Sequence, residues 1–129
     1  MKSYTDLEQS KKLAEILPIE SADMCYRIVA YNPNDTHVYQ PYCFLGTLES
    51  DIPCWSLAAI IELLPYDIKG HNLAIHKSYC PNEKNFAYEL SYEGNFYDYE
   101  PSILVSTSSI ELIDACVEMI EKLKEKGIL

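Results

Sequence analysis

The sequence predicts an α+β fold. A small antiparallel sheet, built from a hairpin plus a three-strand meander, packs against about three helices, one of them a buried core helix. Three observations carry this. Helical and extended patterns succeed one another in the order helix, hairpin, helix, meander, helix. The extended runs are short and joined by tight turns, which disfavours parallel βαβ units. One segment, Ile52 to Pro65, is apolar on nearly every side, so it belongs inside. The chain of 129 residues reads as one domain, 1–129, and its 48% hydrophobic residues suffice for a core without a metal or disulfide staple.

The elements follow in order. Thr5-Asp6-Leu7-Glu8 reads as a capping box with Thr5 as the cap. The helix behind it runs to about Leu17, where Pro18 stops it, and Lys11 and Glu15 are spaced to pair. Cys25 to Tyr31 is β-rich, Asn32-Pro33-Asn34-Asp35 turns, and Thr36 to Leu45 returns as the second hairpin strand. Pro41 lacks a donor, which marks that strand as an edge. Cys25 and Cys43 lie at similar distances from the turn and could face each other across the hairpin.

Ser50 or Asp51 is placed to cap the central helix, with Pro53 near its first turn and Pro65 beyond its end. Asn72 to Cys80 alternates Leu73, Ile75, Lys77 and Tyr79 against Ala74, His76 and Ser78. Pro81-Asn82-Glu83-Lys84 turns. Phe86, Tyr88, Leu90 and Tyr92 then alternate with Ala87, Glu89, Ser91 and Glu93, the pattern of a half-buried strand. After Gly94-Asn95, Phe96 to Tyr99 begins a third strand that Pro101 stops. Thr107, Ser108 or Ser109 caps a last helix from about Ile110 to Lys126. Its acids come early and its bases late, as the helix dipole favours. Gly127 stands at the position that wants a left-handed residue, and Ile128 folds back on the last turn.

The net charge of −10, from 20 acids and 10 bases, argues against direct nucleic-acid binding and against anionic membranes. No apolar run reaches the length of a membrane span, and Met1 to Asp6 has no signal-peptide core. The five scattered cysteines include no C-x-x-C pair, which points to reduced thiols and a cytoplasmic protein. His37, His71 and His76 lack metal-ligand spacing, so neither a metal nor another cofactor is expected. Glycine-rich phosphate loops, dinucleotide fingerprints and serine-nucleophile elbows are missing.

Two sets of residues remain as site candidates. The first is Cys54, expected at a helix N-terminus where the dipole and free amides favour a thiolate. His71 or His76 would serve as its base, with Asn85, Glu89 or Asn95 to orient it. The Cys54-Trp55 pair resembles papain-like cysteine hydrolases, and the resemblance implies a nucleophile at the start of a core helix. The small-residue context of those enzymes is absent, and the interval from Cys54 to either histidine is short for that fold. The second set is Tyr97 and Tyr99 on one strand face with Asp98 and Glu100 on the other, near Glu89 and Glu93. Aromatics beside carboxylates suit a protein-binding face. The partner expected is a protein, a second copy in a homodimer included. An acidic mimic of DNA, blocking a host nucleic-acid-binding protein, is the further alternative.

Three stretches, Tyr4 to Pro18 with Glu20 to Met24, Ile52 to Ala59, and Asp114 to Ile120, resemble a family of small Bacteroides-type prophage and mobile-element proteins. That resemblance implies a mobile-element context and no activity, so it assigns no functional residue.

Overall fold

The computed structural model describes residues 1–31, 36–94 and 102–129. It shows an α+β fold whose strands form two antiparallel sheets rather than one. The chain divides into two compact units, Ser3–Ile60 and Met1–Lys2 with Ile61–Leu129.

In the unit Ser3–Ile60, helix α1 (Leu7–Ala14) precedes strands β1 (Met24–Tyr31), β2 (His37–Tyr42) and β3 (Ile52–Cys54), in the sheet order β2-β1-β3. The hairpin β1–β2 forms as the sequence predicts, and β2, which holds Pro41, is an edge strand. Cys25 stands opposite Tyr42 and Pro53, not Cys43, and both thiols are free. The capping box is present but shifted by one residue. Asp6 accepts from the Gln9 amide, while the Gln9 side chain accepts from the Asp6 amide. Lys11 pairs with Glu8 and not with Glu15.

The apolar segment from Ile52 splits, which corrects the expectation of one long core helix. Ile52–Cys54 pairs with β1 as strand β3, and helix α2 covers only Leu57–Leu63. Its cap is neither Ser50 nor Asp51 but Ser56, whose hydroxyl accepts from the Ala59 amide at 3.2 Å. Asp51 instead takes a two-pronged ion pair from Arg27, at 3.0 and 2.8 Å, and accepts from the Leu48 amide. The Arg27 guanidinium holds the Asp51 carboxyl below the usual carboxylate range. Within α2, Ile60 is buried while Ala58 and Glu62 are exposed, so α2 has an open edge after all.

In the second unit the sheet order is β4-β5-β6-β7, with β4 (Asp67–Ile68), β5 (His71–Cys80), β6 (Asn85–Gly94) and β7 (Ile103–Ser109). The meander therefore closes with Ile103–Ser109. The expected strand at Phe96 to Tyr99 lies outside the described residues. Thr107, Ser108 and Ser109 are strand residues and cap no helix. Helix α3 (Leu112–Glu125) starts after Glu111. Its C-terminus follows the prediction: Gly127 is left-handed, its amide bonds the Lys124 carbonyl, and Ile128 bonds back to Leu123.

Helix α3 lies against β6 and β7. Thr107 donates its hydroxyl to the Ala115 carbonyl at 2.8 Å, which places the Leu90, Tyr92, Val105 and Thr107 face of the sheet under the helix. Ile113, Cys116, Val117, Ile120 and Leu123 of α3 are buried with them. Replacing Leu123, which is fully buried, by alanine is expected to cost about 2–5 kcal/mol of unfolding free energy. Urea titration checks this, and a change within error of zero would contradict the packing described.

Candidate functional site

Cys54 does not sit at a helix N-terminus. It ends strand β3, is 0% exposed, and hydrogen-bonds to Thr5. Thr5 is itself buried and is the centre of a closed set of bonds. Its amide donates to the Trp55 carbonyl at 2.9 Å, and the Trp55 amide donates to its hydroxyl at 3.1 Å. The Ser10 hydroxyl lies 2.8 Å from the Thr5 hydroxyl, and the Tyr26 hydroxyl donates to the Thr5 carbonyl at 2.8 Å. One assignment satisfies every group. Ser10 and Trp55 donate to Thr5 Oγ1, Thr5 donates to Cys54 Sγ, and the Cys54 thiol and Tyr26 share the Thr5 carbonyl. In this arrangement the cysteine serves as a protonated donor.

Electrostatics agree with that state. Burial pushes the Cys54 thiol above its ordinary value, and the Thr5 hydroxyl offsets this only in part. A nucleophilic cysteine needs the opposite shift. The proposed bases are engaged in the other compact unit. His71 Nδ1 donates to the Lys69 carbonyl and Nε2 accepts from Ser102, each at 3.1 Å. His76 Nε2 lies 2.8 Å from Glu93 Oε1, which also accepts from Ser91. The bond from His76 keeps the Glu93 carboxyl below its usual range. Of the proposed orienting residues, Glu89 is exposed opposite His76, and Asn85 bonds the Phe86 amide. Tyr97, Asp98, Tyr99, Glu100 and Asn95 lie outside the described residues. Among the described residues no His, Cys, Asp and Glu cluster could hold a metal ion, and no helix is long and apolar enough to cross a membrane.

The feature that sequence reasoning missed lies on the β5–β6 hairpin. Its ladder is unbroken from His71 opposite Gly94 to Cys80 opposite Asn85. Its neighbours are shorter. Strand β4 pairs only with His71 and Asn72, and the pairing of β7 stops at Tyr88 opposite Ser109. The outer part of the hairpin therefore extends past both flanking strands as a two-stranded arm. Opposed residues share a face, so Leu73 with Tyr92, Ile75 with Leu90, Lys77 with Tyr88 and Tyr79 with Phe86 form one apolar stripe. Its inner end is buried: Leu90 and Tyr92 are both 0% exposed. The β5 side and the tip are not: Ile75, opposite buried Leu90, is 44%, Tyr79 55% and Phe86 49% exposed. Tyr79 and Phe86 pack edge to face at 5.5 Å, and the Lys77 ammonium lies 5.0 Å from the Phe86 ring and 5.5 Å from that of Tyr88.

The backbone of β5 is open as well. The Leu73 amide donates outward to Tyr66 at 2.9 Å. With no bulge in the ladder, every second residue points the same way, so Ile75, Lys77 and Tyr79 also aim their amides and carbonyls away from β6. Among the described residues no strand pairs with them. The other exposed hairpin, β1–β2, presents Val29, Tyr31 and Val38. Its strand β2 carries Pro41, which cannot donate to an added strand, while β3 covers β1 only at Met24 to Tyr26. The alternation from Leu73 to Tyr92 was the available signal. It marked an apolar face but not how much of that face would be covered.

No family model, no curated protein and no solved structure matches this chain.

Thiol chemistry checks this geometry. Burial also raises the Cys116 thiol, to about 11, so at neutral pH both Cys54 and Cys116 remain protonated as well as enclosed. A raised pKa keeps the thiolate scarce until the pH passes it. Iodoacetamide near pH 7, read by mass spectrometry, is expected to label exposed Cys43 in the folded protein and Cys54 and Cys116 only after unfolding. Selective labelling of native Cys54 below pH 7 contradicts the network and restores the nucleophile.

Proposed function

We propose that this chain is a non-enzymatic protein-binding module that docks its partner on the outer β5–β6 arm. The observation that carries the reading is the coincidence, on one element, of an uncovered apolar stripe and an unpaired strand edge. Either alone is common. Surface apolar residues scattered singly need no explanation, and many edge strands are blunted by charge or proline. Here Ile75, Tyr79 and Phe86 stand beside the open edge of the same strand pair. Strand addition takes affinity from main-chain hydrogen bonds and specificity from alternate side chains, and the arm offers both. Its rings also bring large area at little entropic cost.

The reading extends to the compartment. The five cysteines are free, and Cys25, Cys54 and Cys116 are core side chains, the usage expected of a cytoplasmic protein.

Site-specific photo-crosslinking tests the docking reading. A photoreactive phenylalanine analogue replaces Phe86 on the arm or, as a control, Glu118, which is exposed on α3. Irradiation of cells that naturally carry the protein is expected to give a discrete protein adduct from position 86 and none from position 118. Equal adducts at both positions, or none at 86, sink the reading.

A further inference from the structure

We infer that the occupant of the β5 edge is a second copy of this chain, paired antiparallel through β5 about a two-fold axis at Lys77. The inference rests on the docking reading above and adds the partner and the register.

Register selects the axis. Among the described residues, the outward groups without a partner belong to Ile75, Lys77 and Tyr79, because the Leu73 amide is already bonded to the Tyr66 carbonyl. An axis at His76 would set Leu73 opposite Tyr79 and require that occupied amide. An axis at Ser78 would send Ile75 opposite Pro81, past the end of the strand and without a donor. An axis at Lys77 sets Lys77 opposite its own copy and Ile75 opposite Tyr79. All three residues then exchange bonds, and no group already in use is needed. Such an interface is isologous and closes at two copies.

Side chains fit the same register. A two-fold axis normal to the sheet maps each face onto itself, so the stripe of one copy continues into the stripe of the other. Ile75 meets Tyr79 on the apolar face, an aliphatic–aromatic pair of the kind that stabilises sheets. Like charges at the axis would oppose pairing if Lys77 pointed off the edge. The ammonium instead lies over the Phe86 and Tyr88 rings of its own hairpin, drawn toward β6 and away from the axis. Overall charge points to the same place. The chain carries −10, yet residues 73–88 hold Lys77 and Lys84 against Glu83 alone. Two copies approaching through the arm avoid the repulsion that the acidic remainder imposes.

The experiment is sedimentation equilibrium on the full chain from about 1 μM to about 1 mM, spanning the weak affinities expected of a small interface. A reversible dimer is expected. Ile75→Pro removes an amide that bonds nothing among the described residues of the monomer, and is expected to weaken the dimer at least about tenfold, or about 1.4 kcal/mol. Two further variants keep the test independent of proline. Ile75→Lys and Tyr79→Glu are each expected to weaken it, and the double variant, which sets Lys opposite Glu twice, to recover much of the loss at low salt. A monomer at every concentration, a dimer indifferent to Ile75→Pro, or a double variant no tighter than its parents overturns the inference. Failure here differs from failure of the docking reading. An adduct at position 86 with another protein removes the self-pairing and leaves the arm as a docking site. No adduct of any mass removes both.

Discussion

The unit that carries the arm is organised by one constraint: the β5–β6 ladder is longer than anything beside it. The ladder runs from His71–Gly94 to Cys80–Asn85, while β4 meets only two residues of β5 and β7 stops opposite Tyr88. The inner end is bounded by local bonds. The Gly94 amide donates to the Ser102 carbonyl at 2.8 Å, and a side chain at Gly94 would collide with Ser102 and His71. Tyr92 anchors the buried stripe through its hydroxyl, which reaches the Pro65 carbonyl at 2.7 Å. Beyond Tyr88 no described strand flanks the ladder, and the Tyr79–Phe86 ring pair with Lys77 over the Phe86 ring packs across it. Coverage thus separates core from surface along a stripe that is apolar except for Lys77.

The other unit depends on Thr5. A threonine with no exposure is costly unless each of its polar groups is bonded. Thr5 meets that condition by tying the entrance of α1, through Ser10, to β3 and to Tyr26 of β1. Cys54 is one of the partners that completes the set. Its burial, its raised pKa and its bonding therefore have a single cause, which is structural. The Trp55 indole donates to Ser21 at 2.9 Å and is held in the same way. A cysteine–tryptophan pair inside an apolar run invites a catalytic reading. Here the pair closes a core.

The fold class was legible because the signals were local. The alternation from Phe86 to Tyr92, the pairing of β1 with β2 and the Gly127 terminus each depend on near neighbours; the turn expected at Asn32 to Asp35 lies outside the described residues. Two errors had one origin. Apolar residues from Ile52 onward suit a buried strand and a buried helix equally, and only pairing with Met24, Cys25 and Tyr26 decides for β3. Thr107, Ser108 and Ser109 have cap chemistry, but the ladder to Tyr88, Glu89 and Leu90 claims them for β7. The candidate site was least legible of all. Lys77 and Tyr79 stand at an edge because of the order of strands in the sheet, and strand order is not a local property. The aromatic–acidic candidate at Tyr97 to Glu100 lies outside the described residues, so the structure supplies a different surface from the one the sequence singled out.

Amide hydrogen exchange resolved residue by residue along β5 is the most direct measurement of the central claim, that Ile75, Lys77 and Tyr79 present an unpaired edge open to a second copy. In dilute solution the amides of Ala74, His76 and Ser78 should exchange slowly and those of Ile75, Lys77 and Tyr79 fast. With rising protein concentration the second group should become protected while the first stays unchanged. Protection of Ile75, Lys77 and Tyr79 at the lowest concentration, or fast exchange of all three at the highest, would contradict the account.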